Sequence, residues 1–227
     1  MRHAFHAAPL AAAATAAVLL ISPTAAQAED GRFSVGAIAG TLGLGLEAGF
    51  RFDEHVGLRA NAATYDDSRT EEVDDIEYDG ELNLESYGLA LDWYPFGGRF
   101  RVSAGACANG NEIGLEAAPT TNVTVGDITF TPAQIGRLTG TVESDEVAPT
   151  LTLGWGGTLA PGFAVTFDVG VMFQGSPTIE NLTSTGGLAS NQPLLLEQLR
   201  IEEARVEEDM EDLDLWPILQ LTFSWRF

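Results

Sequence analysis

The sequence contains no lysine: all 11 of its basic residues are arginine, set against 33 acidic residues. The resulting formal charge of −22 excludes nucleic acid as a general partner, because phosphates need cationic contacts. Cysteine is almost as scarce. Cys107 stands alone in 227 residues, so no disulfide can close within the chain and no thiolate cluster can hold zinc. Beyond His3 and His6 the only histidine is His55. After the first 28 residues no segment reaches the roughly 20 apolar residues of a spanning helix. Disorder would fit the acidity, but 45 % hydrophobic content and 25 glycines argue against it. Charge and apolar surface must therefore be segregated along the chain.

The first 28 residues read as a cleaved signal peptide. Arg2 and His3 give a weakly basic start, Ala7 to Ile21 is apolar, and Ala26-Gln27-Ala28 supplies the small-x-small cleavage pattern. The mature chain, 29–227, is then one domain exported from the cytoplasm.

What that chain does have is period-two alternation. Leu219, Leu221, Phe223, Trp225 and Phe227 fall on one face, and Gln220, Thr222, Ser224 and Arg226 on the other. Leu42, Leu44, Leu46, Ala48, Phe50 and Phe52 alternate in the same way with Thr41, Gly43, Gly45, Glu47, Gly49 and Arg51. Phe163 to Phe173 repeats the pattern, and weaker copies run through 56–63, 87–93, 100–107 and 147–155. A short strand at Phe33–Gly40 brings the number to eight. Large apolar residues facing small or polar ones over about ten positions is the grammar of a strand between lipid and a lumen. A soluble β-sandwich also alternates, but its polar face meets water and is seldom so rich in Gly, Ala, Ser and Thr. Tight turns at 53–55, 97–99 and 160–162 alternate with long loops at about 66–80, 114–141 and 176–212, as periplasmic turns and outer loops do. The sequence thus predicts an all-β fold: an eight-stranded antiparallel transmembrane β-barrel, with a short helix in the last long loop. Trp93, Tyr94, Phe96, Trp155, Trp216, Trp225 and Phe227 fall near strand ends, where interface girdles form.

The alternation places Glu47, Asp92 and Asp168 in the lumen with Arg51, Arg59, Arg101 and Arg226. Confined charges are costly unless paired. They predict either a salt-bridge network that fills the barrel or a narrow path that selects small charged solutes. The excess acid lies in two loops. Asp66 to Glu81 carries nine acids, and Glu197 to Asp214 nine more. These loops either concentrate cations through their field or simply stay solvated.

Within the first loop, Asp75, Glu77 and Asp79 imitate the oxygen spacing of an EF-hand, but the twelfth position is Ser86 and no helices flank it. Neither a metal nor a cofactor is expected. The run Leu194–Leu213 after Pro193 reads as a helix with Leu195, Leu199, Val206, Met210 and Leu213 on one side, packed on the barrel rim. The sequons at Asn122 and Asn181 read as chance. With His55 in a turn on the periplasmic side, no nucleophile–base pair can form near outer-leaflet lipid, so no enzyme activity is expected.

Several short blocks carry a family likeness: Gly40-Thr41-Leu42-Gly43, Trp93-Tyr94-Pro95, Val147 through Gly156, Gly170 through Pro177, and Trp216-Pro217. In order they resemble the CarO family of ornithine-uptake porins and, more loosely, OmpW- and OmpA-type barrels. That resemblance implies a Gram-negative outer-membrane location and passive uptake of small solutes such as basic amino acids and some antibiotics. The terminal alternation with Phe223, Trp225 and Phe227 resembles the signal read by the barrel-assembly machinery. Partners so implied are outer-membrane lipid and lipopolysaccharide, the assembly machinery during biogenesis, and small cationic or zwitterionic solutes. The alternative reading is a non-conducting barrel whose acidic loops meet cations.

Overall fold

A computed structural model describes residues 31–73, 76–157 and 160–227. The expected signal peptide lies outside the described residues, and so does Asp75.

Eight strands close into a ring. They are β1 (Phe33–Gly40), β2 (Gly43–Arg51), β3 (Val56–Val73), β4 (Ile76–Trp93), β5 (Phe100–Asn109), β10 (Val147–Gly156), β11 (Gly162–Phe173) and β13 (Leu215–Arg226). Each pairs antiparallel with its neighbours in that order, and β13 returns to β1. Ring closure leaves no free edge, which lets strands cross lipid with every backbone group paired. No described helix is long and apolar enough to cross.

The bulky faces of these strands point outward. Leu44, Phe167 and Phe223 are 59 %, 44 % and 48 % exposed, so they do not pack into a dry centre. Gly, Ala, Ser and Thr point inward, as a narrow barrel requires. Trp93, Trp155, Phe163, Trp225 and Phe227 are exposed at the short-turn end of the barrel, with Phe96 in the turn between β4 and β5, and form a girdle there, with Phe100 and Trp155 in ring contact at 6.0 Å.

Two expected girdle members turn the other way. Tyr94 is buried inside the barrel, where its ring lies 3.8 Å from the Arg51 guanidinium carbon. Trp216 is one step out of phase with the outward set and packs inward. Proximity to a strand end located both correctly, but only strand phase decides which face a ring takes.

Leu42 also departs from expectation. It belongs to the β1–β2 turn, not to the β2 ladder, and Gly43 with φ of 107° reverses the chain direction there. Alternation therefore breaks at the turn, and Leu42 is buried against Cys107, Ala148, Met172 and Ile218.

The three long loops are built structure. Residues 66–80 continue the β3–β4 hairpin well beyond the barrel, with register from Val56↔Trp93 to Val73↔Ile76. Onto the extended β4 are laid β6 (Glu112–Pro119), β9 (Gly136–Glu143) and β12 (Thr178–Gly186). The rest of the outer region is a small hairpin, β7 (Val123–Val125) with β8 (Ile128–Phe130), one turn of helix α1 (Pro132–Ile135), and helix α2 (Pro193–Met210). Pro193 sits in the first turn of α2, where its missing N–H costs nothing.

α2 packs on β12 and β7 rather than on the barrel rim. Leu195, Gln198 and Leu199 are its buried face, joined in a second core by Val125, Phe130, Ile135 and Ala189. Its polar groups also satisfy the hairpin: buried Gln198 Oε1 accepts the Asp127 N–H at 2.7 Å and Glu202 Oε2 the Gly126 N–H at 2.9 Å. Acidic residues that read as a solvated loop are partly backbone caps.

Candidate functional site in the barrel lumen

The inward positions stack in tiers whose heights follow from strand register. β5 presents Arg101, Ser103 and Cys107 in ascending order, β11 presents Thr166, Asp168 and Met172, and β13 presents Arg226, Thr222, Gln220 and Ile218.

The middle tier is an ion network. Arg59 Nε lies 2.9 and 2.7 Å from the two Asp92 oxygens, and Arg59 Nη1 is 2.9 Å from Glu47 Oε2. Arg59 Nη2 reaches Ser103 Oγ at 3.2 Å and stands 3.7 Å from Asp168 Oδ1. Arg101 clasps Asp168 with two donors, at 3.2 and 2.6 Å. Ser103 donates to Asp92 at 2.6 Å, and Gln220 donates to Glu47 at 3.2 Å. All these side chains are buried. A forked guanidinium can serve several carboxylates at once where an ammonium is a single point charge, which suits an arginine-only chain.

Room for the network comes from residues with no side chain. A Cβ on Gly154 would stand 2.5 Å from Asp168 Oδ1 and 2.6 Å from Arg101 Nε.

Below this tier the lumen turns cationic. Arg51 donates to the carbonyls of Asp53 at 3.1 Å and Glu54 at 2.6 Å, and Arg226 donates to the Gly31 carbonyl at 3.1 Å. With Arg32, and with the acids Asp53 and Glu54, they line an open vestibule of about 480 Å³ at the short-turn end, and Arg99 stands on the wall above it. Arg51 and Arg226, expected in the lumen network, are thus in the lumen but join a different tier from Arg59, Glu47, Asp92, Arg101 and Asp168.

Above the network lies an apolar collar of Leu42, Cys107, Ala148, Met172 and Ile218, with Trp216 against it. Between these tiers the lumen holds small voids of about 30 and 40 Å³, each enough for roughly two or three waters.

Alternation alone located the charges. Ser103 and Gln220 were legible as inward residues, but nothing in the sequence marked them as members of the network. The collar was missed because its large side chains break the small-inside rule.

The EF-hand-like run has another fate. Residues 76–80 are extended in β4, paired with β3 on one side and β6 on the other, so they cannot wrap an ion as that loop does. Asp79 accepts a hydrogen bond from Thr70 Oγ1 across the hairpin. Phe223, Trp225 and Phe227 form the lipid-facing row of the last strand.

No protein-family model matches the chain, and no curated protein matches its sequence. Among solved structures it is similar to Acinetobacter baumannii CarO2, with a TM-score of 0.58 and 19 % identity over 86 % of this chain and 98 % of that one. It is also similar to Acinetobacter baumannii CarO, with a TM-score of 0.56 and 20 % identity over 86 % of this chain and 97 % of that one. At such identity the likeness is one of fold: an eight-stranded outer-membrane-type barrel.

Proposed function

We propose that the protein is an outer-membrane barrel that passes small zwitterionic solutes slowly, through a lumen shut at rest by its own ion pairs. The observation that carries this reading is the tiering of lumen charge. At one height three carboxylates and two arginines share the cross-section, and from there to the short-turn mouth Arg32, Arg51, Arg99 and Arg226 outnumber Asp53 and Glu54. A molecule with both an ammonium and a carboxylate could exchange with these pairs one at a time, without leaving a buried charge bare. The acidic outer face would favour arrival of the ammonium end, and the arginine tier would favour departure of the carboxylate. A solute without a carboxylate gains nothing from that exit, so amino acids, basic ones included, fit better than simple cations. In this reading Phe223, Trp225 and Phe227 serve as the strand that assembly machinery recognises.

The test is reconstitution into liposomes with two readouts. Uptake of a small zwitterion such as glycine should exceed that of empty liposomes, while planar bilayers show no steady open-channel current. Glycine uptake equal to that of empty liposomes would overturn the reading. It would leave a sealed barrel presenting an acidic surface, which the apolar collar across the outer mouth favours.

A further inference from the structure

Six of the chain's 11 arginines line the lumen between the ion network and the short-turn mouth. Arg59 and Arg101 are neutralised there by Glu47, Asp92 and Asp168. Arg51 and Arg226 are not. Arg51 is buried, yet its hydrogen bonds go to carbonyls alone: Nε to Asp53 at 3.1 Å, and Nη2 to Glu54 at 2.6 Å and Gly97 at 3.3 Å. Its guanidinium lies on the Tyr94 ring. Half-buried Arg226 donates to the Gly31 carbonyl at 3.1 Å and stands by the Tyr94 hydroxyl. These contacts fix both side chains without bringing a negative charge, and neither arginine forms an ion pair with a described residue. The acids at this mouth do not fill the gap. Asp53 is within electrostatic reach of Arg51, but its carboxylate accepts the N–H groups of His55 and Val56. Glu54 is exposed at the rim. Arg226 is meanwhile repelled by Arg51 and Arg101. A buried charge with no counter-charge is costly, and here it faces a vestibule of about 480 Å³.

We propose that this vestibule binds a small free oxyanion with two negative charges, of the phosphate or dicarboxylate type. Arg51 and Arg226 both line it, and a guanidinium presents a fork of N–H donors that matches a pair of oxygens. A singly charged anion would neutralise one of the two and leave the other bare. Exposed Arg32 lies beside them and exposed Arg99 on the wall above, each long enough to swing onto a bound anion. Size sets the depth. Above the vestibule the lumen narrows to a void of about 30 Å³, so the anion stops below the ion network. The site shares its arginines with the solute exit proposed above, but binding needs no flux, and a sealed barrel would bind equally well.

The experiment uses the protein refolded in phosphatidylcholine nanodiscs, which leave both mouths open to solution. Inorganic phosphate is titrated in by calorimetry at pH 8, where it is mostly doubly charged, with succinate as a dicarboxylate and acetate as a single charge. Phosphate should bind one site per barrel and succinate should displace it, while acetate binds at least about tenfold more weakly. Arg226→Gln and Arg51→Gln should each weaken phosphate about tenfold. Arg226 is the decisive position, because it is only half-buried and ties a single carbonyl, and heat-resistant migration reports that its variant is folded. Arg137→Gln, on the outer sheet, should leave the affinity unchanged. So should nanodiscs containing phosphatidylglycerol, at a salt concentration that screens the lipid surface. Loss of phosphate binding in those nanodiscs would make a lipid headgroup the occupant and overturn the proposal. Absence of phosphate binding, equal affinity for acetate, or an equal effect of Arg137→Gln and Arg226→Gln would overturn it as well. Glycine uptake that persists beside any of these results would leave transport standing without the anion site.

Discussion

Arg59 and Asp92 meet inside the barrel with the guanidinium Nε placed between both carboxylate oxygens, at 2.9 and 2.7 Å. They stand on adjacent strands, one step apart along the β3–β4 ladder, where Arg59 pairs with Ala90 and Asp92 with Gly57. From this contact the arginine extends to Glu47, Ser103 and Asp168. One cation thus holds together groups from β2, β4, β5 and β11.

Removing that cation leaves three buried carboxylates, of which Asp168 keeps Arg101 while Asp92 and Glu47 keep the neutral donors Ser103 and Gln220. Arg59→Met should destabilise the barrel by about 3–5 kcal/mol, the usual cost of breaking a buried ion pair on one side. Urea unfolding in detergent, followed by the loss of heat-resistant gel migration, measures it. Glu47→Gln should cost less, because the amide can still accept from Arg59 and Gln220. A cost for Arg59→Met no larger than that of an outward surface substitution would show that the network does not hold the barrel.

Gly154 is small because its neighbour in the lumen is an ion pair. Gly154→Ala should displace Arg101 from Asp168 and cost about 1–3 kcal/mol as overpacking. The same unfolding assay reads the loss. If the displaced pair opens the lumen, glycine uptake by liposomes should rise in this variant.

The outer region has its own core, centred on the fully buried Ile135. Ile135→Ala should remove about 2–5 kcal/mol of local stability. Hydrogen exchange should quicken across 123–143 and in α2, while the barrel strands keep their protection. A uniform change over the whole chain would show that the two cores unfold as one.

Partial burial pushes the Glu143 carboxyl above its ordinary value of 4.5, and repulsion from Glu180, Glu112 and Glu146 adds to the rise. A raised acid binds its proton in the folded sheet before the unfolded chain does. Its contribution to stability is therefore full below the ordinary value and fades as pH climbs through the raised one. Glu143→Gln should slow hydrogen exchange in β6, β9 and β12 at pH 7.5, and the difference from the parent should vanish near pH 4. A difference independent of pH would rule out titration as its cause.

The opposite shift occurs at the short turn between β2 and β3. Asp53 is held below its ordinary value by the backbone N–H groups of His55 and Val56, which its carboxylate accepts at 2.7 and 2.9 Å. This turn chemistry was implicit in Asp53-Glu54-His55, since a short polar side chain that caps its own following amides makes a tight connection.

The barrel was legible because lipid outside and a narrow bore inside each impose one size of side chain, and a strand shows both within a few residues. That is why Leu44, Phe167 and Phe223 could be set outward and Glu47, Asp92, Arg101 and Asp168 inward. Helix α2 was legible for a similar reason, with Pro193 at its start and Leu195 and Leu199 one turn apart. Turns interrupt the alternation, so Leu42 could not be placed by extending the β2 pattern. Tyr94 and Trp216 show the same limit for aromatic rings near strand ends.

By itself the sequence determined that eight segments alternate and which charges share the inner face, because those properties are local and repeat every two residues. Only the tertiary structure decided which charges meet, that the acidic run 66–81 extends the sheet rather than hanging as a loop, and that Leu42 joins an apolar collar with Cys107, Ala148, Met172 and Ile218 above the ion network. Each of these depends on register and ring closure, which bring together residues as far apart as Arg101 and Asp168, or Leu42 and Ile218. No spacing along the chain encodes those distances.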